Sequence, residues 1–135
     1  MRHRITGGLI LLFCGLLGAS AMAHHAFATE FDATKPITLR GVVTKVEWTN
    51  PHVWFYLNVK NDKGEVENWG FEMGAPQQVR ARGWSRDTLK AGDELIVEGS
   101  RARDGSSRMN ARNVTWAATG KKLGAASSEG AAAVP

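Results

Sequence analysis

The chain has 135 residues, a formal net charge of +4 and one cysteine, Cys14. Arg2 and Arg4 are the only charged side chains before His24, so a chain beginning there carries +4 less two, or +2. That small excess argues against a nucleic-acid footprint. Without Cys14, a disulfide, a thiolate metal site and a cysteine nucleophile are also excluded.

The first residues have the three-part order of a cleaved export signal. Met1-Arg2-His3-Arg4 is basic, Leu9 to Leu17 is apolar, and Gly18 to Ala23 is mostly small. The apolar run falls short of the roughly 20 residues that span a bilayer, although an uncleaved anchor is the alternative. Cleavage after Ala23 exposes His24, and cleavage after Ala21 exposes Met22. The first is preferred because it lies on the border between apolar and polar sequence. Bulky Phe13 disfavours Cys14 as a lipid carrier. The expected product is a periplasmic protein of about 110 residues, one domain in size, free of the membrane after cleavage.

Residues 24–35 form a lead segment with little periodicity. A strand rich in Val, Thr and Ile is predicted from Ile37 to Trp48, ending at the turn Thr49-Asn50-Pro51. A second runs from His52 to Val59, with Val53, Phe55, Leu57 and Val59 on one apolar face. Asn61-Asp62-Lys63-Gly64 closes a hairpin into a third strand, Glu65 to Met73. A short helix is predicted over Ala75 to Gly83, since Pro76 suits a first turn and Gly83 a stop. Two further strands follow, Glu94 to Arg103 and Arg108 to Trp116, joined by the turn Asp104-Gly105-Ser106. The Gly-, Ala- and Ser-rich end, residues 124–135, has almost no core-forming side chains and is expected to be disordered.

Three strands, a helix and two strands is the order of an OB-fold. The predicted class is therefore all-β: a five-stranded OB-fold-like Greek-key barrel over residues 36–123, with one short helix between strands 3 and 4. Closure would remove exposed sheet edges. A different small barrel or an open sandwich is the alternative.

Several segments carry a family likeness: His24-His25-Ala26-Phe27, Phe31-Asp32, Gly41-Val42-Val43, Glu47 to His52, Trp69 to Gly74, and Gly92-Asp93 through Gly99. Together they resemble a family of small exported bacterial proteins catalogued as a domain of unknown function. The likeness runs from His24 to about Leu123. It implies a periplasmic setting and no particular activity.

Three imidazoles remain after cleavage: His24, His25 and His52. A chain beginning at His24 offers an α-amine and a ring nitrogen from one residue, a bidentate chelate. His52 would add a third nitrogen and His25 a further one. Copper(II) favours such tetragonal nitrogen sets, and an α-amine of pKa about 7.7–8 loses its proton readily to a metal. The arrangement resembles the histidine brace of copper oxygenases and carriers in chemistry, not in fold. Cleavage after Ala21 would instead put His24 third from a free amine, also a copper-competent terminus. Glu47, Glu72 or Asp32 would be the oxygen ligands. The ordinary alternatives are a solvated terminus for His24 and His25, and a turn histidine bonded to a nearby acceptor for His52.

Trp54 and Tyr56 share parity with His52 and lie opposite the apolar face. With Trp69, and Phe71 beside it, they form a candidate ligand-binding surface for an oligosaccharide, a small ligand or a periplasmic protein. Packing beneath the lead segment or tail is the competing role. No serine-histidine-acid pattern and no phosphate-cradling glycine loop is present. Glu65, Glu67 and Glu72 are the carboxylates that a glycosidase pair would draw on, and solvent-facing strand positions explain them equally well. The expected function is a non-catalytic binding module with copper as its candidate metal.

Overall fold

The computed structural model describes residues 26–127 and 130–131. The predicted leader and its expected cleavage sites, with His24 and His25, lie outside the described residues. The described chain is mainly β, with six strands: β1 (Phe31–Glu47), β2 (Trp54–Lys60), β3 (Val66–Glu72), β4 (Glu94–Ala102), β5 (Arg108–Trp116) and β6 (Lys122–Gly124). A short helix, α1, occupies 26–30. A second, α2 (Pro76–Arg80), lies between β3 and β4.

The spatial order is β3-β2-β1-β4-β5-β6, with β3 also paired to β5. Neighbours in that order are antiparallel, whereas β3 and β5 run parallel through Gly70–Glu72 and Arg108–Asn110. This last pairing closes the hydrogen bonds into a ring. The 17-residue β1 makes the ring possible. Its first part pairs with β4 and its last part with β2, overlapping at Gly41 and Val42.

β2 explains the core. Phe55, Leu57 and Val59 are buried while Asn58 and Lys60 are exposed, the alternation of a half-buried strand. Phe55 stacks on Phe71 of β3 with ring centroids 4.9 Å apart and planes 6° apart. Leu95 and Val97 of β4 and Met109 and Val114 of β5 complete the interior, with Val79, Trp84 and Leu89 from the β3–β4 connection. α2 is shorter than predicted, five residues, and Gly83 (φ 98°) follows it in the turn that ends the segment.

Three features depart from the sequence reading. β1 begins at Phe31, inside the expected lead segment, because Phe27 and Phe31 bury against Ala102 in a small separate cluster. Arg103 ties that segment down: its backbone N–H donates to Glu30 O (2.9 Å) and its Nε to Ala28 O (2.5 Å). β6 has no counterpart among the predicted strands. The segment expected to be disordered instead packs on the body in its described part. Ala125, Ala126 and Ser127 are buried, Ala125 O accepts from Gly74 N–H (2.9 Å), and Ala125 N–H donates to Arg112 O (2.8 Å). Trp84 Nε1 donates to Gly124 O at 2.7 Å. Small side chains let this backbone approach closely, and its hydrogen bonds do what large apolar groups do elsewhere.

Candidate functional site

His52 follows the turn after β1, which contains a cis Asn50–Pro51 peptide. Thr49 Oγ1 donates to His52 O at 3.3 Å. Beyond the ends of β2 and β3, Val53 N–H donates to Gly74 O and Met73 N–H to Val53 O. The two strands thus stay zipped and hold His52 beside Glu72. Its Nδ1 stands 3.3 Å from Glu72 Oε1, with the imidazole 34% exposed and the carboxylate 9% exposed. Glu72 pairs in register with Trp54 on β2 and Asn110 on β5. Asn110 Nδ2 donates to Glu72 Oε1 at 3.3 Å. A buried carboxylate is costly unless its oxygens find partners, and Glu72 Oε1 has both Asn110 Nδ2 and His52 Nδ1 beside it.

His52 and Glu72 face a cavity of about 410 Å³, whose lining also includes Ala26, Glu30, Trp54 and Arg108. Its volume lies in the range of small-ligand sites. Of the three oxygen donors suggested by sequence, only Glu72 lies here. Asp32 accepts from Thr34 N–H and Oγ1 and stands near Lys35 and Arg103. The Thr34 hydrogen bonds hold its carboxyl below the usual carboxylate value, helped by Arg103 and Lys35. Glu47 accepts from Lys45 Nζ and from Tyr56 OH. Among the described residues no group of three or more His, Cys, Asp and Glu side chains is disposed to hold a metal ion.

Trp54 and Tyr56 are half-buried on the outer face of β2. Trp69 does not join them. It pairs with Leu57, and cross-strand partners share a face, so it is buried with the core. Phe71 follows the same rule through Phe55. The residues that do share the outer face with Trp54 and Tyr56 are Glu72, Gly70 and Asn68. A second cavity, of about 390 Å³, lies over this face and shares Trp54 and Arg108 with the first. Sequence reasoning missed Asn110 and Glu30. No local signal marks them, because the β3–β5 pairing and the folded lead segment bring them in.

Tyr56 is the chain's only tyrosine. Burial raises its pKa above 10.0, and its hydrogen bond to the Glu47 carboxylate raises it further. Ultraviolet titration of the tyrosinate is expected to give a midpoint above that value, and Glu47→Gln should lower it. Because the unfolded tyrosine ionises first, folding stability should fall as pH rises past 10. An identical midpoint in Glu47→Gln would show that the pair does not form.

The ringed mainly-β fold and its histidine-carboxylate cavity define, among the described residues, a small β body with a concave site at one end of the β2–β3 hairpin. The chain belongs to a family of unknown function, DUF6152, whose model matches residues 13–111. The matched span contains His24, His25, His52, Trp54 and Glu72. Comparison with curated proteins and with solved structures finds no match.

Proposed function

We propose that this chain is an exported periplasmic binding module, built as an OB-like Greek-key barrel, that acts without catalysis and holds copper at the His52 cavity. The strand order, with β1 shared between two neighbours and β3 meeting β5, supports the OB-like reading.

One observation carries the copper reading. His52 directs Nδ1 at the buried Glu72 on the wall of a cavity that Ala26 also lines. A metal-ligating imidazole ordinarily gives its second nitrogen to a carboxylate, which orients the ring and raises its basicity. Nε2 is then the nitrogen left for a metal. Ala26 is bonded directly to His25 and lies two residues from His24. Cleavage after Ala23 would therefore start the mature chain within a few residues of this cavity. The His24 amine and imidazole, with His52 and then His25, would supply the nitrogen set that copper(II) prefers.

The test is copper(II) titration of processed protein followed by EPR, with mass spectrometry to establish that His24 is the first residue. A tetragonal, nitrogen-rich signal is expected. Affinity should fall by about tenfold or more in the His24→Ala, His52→Ala double variant, and by about tenfold in Glu72→Gln. Equal affinity in parent and double variant would overturn the reading.

The second reading is metal-independent binding of an oligosaccharide or partner protein. It is favoured by the cavity over Trp54 and Tyr56, and Trp69 drops out of it.

A further inference from the structure

We propose that the cleft over Gly70 is a binding site for an acidic saccharide, a sugar ring that carries a carboxylate. This narrows the metal-independent reading to one ligand class and does not depend on copper.

The floor of the cleft is made by two rings and a glycine. Gly70 is paired directly with Tyr56 and is buried in the sheet. A Cβ there would stand 3.3 Å from Tyr56 Cε1 and 3.5 Å from Trp54 Cζ3. Both ring edges therefore reach to about contact distance of the glycine, which adds no side chain of its own to the floor. Half-buried aromatic rings of this kind offer flat apolar area beside polar groups, the combination that small-ligand sites use.

The rim carries unspent polar groups. Asn68 Nδ2 donates to Thr44 Oγ1 and Asn58 Oδ1, which leaves its Oδ1 without a hydrogen-bond partner among the described residues. The Ser107 hydroxyl also has none there. Arg108 spends Nε on Ser106 Oγ and Nη2 on Asp104 Oδ2, at 3.1 and 3.3 Å, and keeps Nη1. A planar aromatic acid would cover the rings but leave Asn68 and Ser107 unmatched. A sugar ring presents C–H groups to the aromatic floor and hydroxyls around its edge, where those two groups stand. Among the described residues Arg108 is the only charged side chain lining this cleft; it is ion-paired to Asp104 through Nη2, and its remaining Nη1 is the donor that a carboxylate on the ring would take. The volume of about 390 Å³ leaves room for more than one sugar unit.

The test uses the mature, metal-free chain and NMR titration with three probes: a galacturonic acid tetramer, a galactose tetramer and benzoate. The acidic tetramer is expected to shift the Trp54 indole and the Gly70 and Asn68 amides, and to bind more weakly as salt rises. Trp54→Ala and Arg108→Gln should each weaken it by about tenfold. Arg108→Gln should do so while keeping the thermal midpoint within a few degrees, which separates a lost site from a lost fold. Shifts elsewhere on the surface, equal binding of the galactose tetramer, equal binding of benzoate, or no shift at millimolar acidic tetramer would each overturn the proposal. Because every arm is metal-free, failure here leaves the copper titration unaffected, and the reverse holds.

Discussion

Phe71→Ala is expected to destabilise the domain by about 3–5 kcal/mol, the usual cost of removing a buried phenylalanine ring. Phe71 has no exposed surface and stacks on Phe55 at 4.9 Å. It also pairs across to Phe55 of β2 on one side and Met109 of β5 on the other. Its ring therefore sits where the sheet closes on itself. Neighbours drawn from both sides of that seam cannot collapse into the space without opening the β3–β5 pairing. Domains of this size have roughly 5–15 kcal/mol of total stability, so the loss is a large fraction of the whole. Urea unfolding followed by circular dichroism should show a lower midpoint with an unchanged slope. Val66→Ala, at a position 58% exposed, should stay within about 0.5 kcal/mol of the parent. A Phe71→Ala loss as small as that of Val66→Ala would mean that the stacked pair does not belong to the core.

Gly99→Ala is expected to cost about 3 kcal/mol, at the upper end of ordinary overpacking. Gly99 lies at a register shift between β4 and β5, beside Glu98. A Cβ there would stand 2.0 Å from Asn110 O and 2.9 Å from Asn110 C. Both are backbone atoms, so no side-chain rotation relieves the clash. Replacing glycine elsewhere commonly stabilises by about 0.4–1 kcal/mol through the unfolded state, and here the collision outweighs that gain. The displaced strand also carries Asn110, the partner of Glu72. The variant should therefore melt earlier and shift the His52 ring resonances. A melting temperature equal to or above the parent's would show that the two strands do not approach this closely.

Much of the fold was legible along the chain. The Val53–Val59 alternation identified the buried face of β2, and Arg108 to Trp116 was read to the residue. The turn at Asn61–Gly64 was also legible, since Asn61 Oδ1 accepts from Lys63 N–H and Glu65 N–H and Gly64 has φ 80°. These signals are local, because side-chain parity and turn chemistry depend on residues a few positions apart. The placement of Trp69 was not legible. Its parity relative to Trp54 is set by the hairpin register, and a one-residue shift in pairing exchanges the two faces of a strand. The packing of residues 125–127 was not legible for a related reason. Composition measures apolar side chains, whereas Ala125 and Ala126 are held by backbone hydrogen bonds to Arg112 and Gly74 and by a carbonyl contact with Arg82.

The same division runs through the candidate site. By itself the sequence determined which chemistry is available: imidazoles at 24, 25 and 52, no thiolate after Ala23, and an aromatic face at 54 and 56. Residue type settles those points without reference to shape. Tertiary structure alone decided what stands beside what. Glu72 meets His52 because the β2–β3 hairpin stays zipped past its strands, and Asn110 meets Glu72 because β5, distant in sequence, pairs parallel to β3. Ala26 lines the same cavity because Arg103 pins α1 against the sheet. Contacts between residues dozens of positions apart form only when the whole sheet closes, and no local pattern encodes that closure.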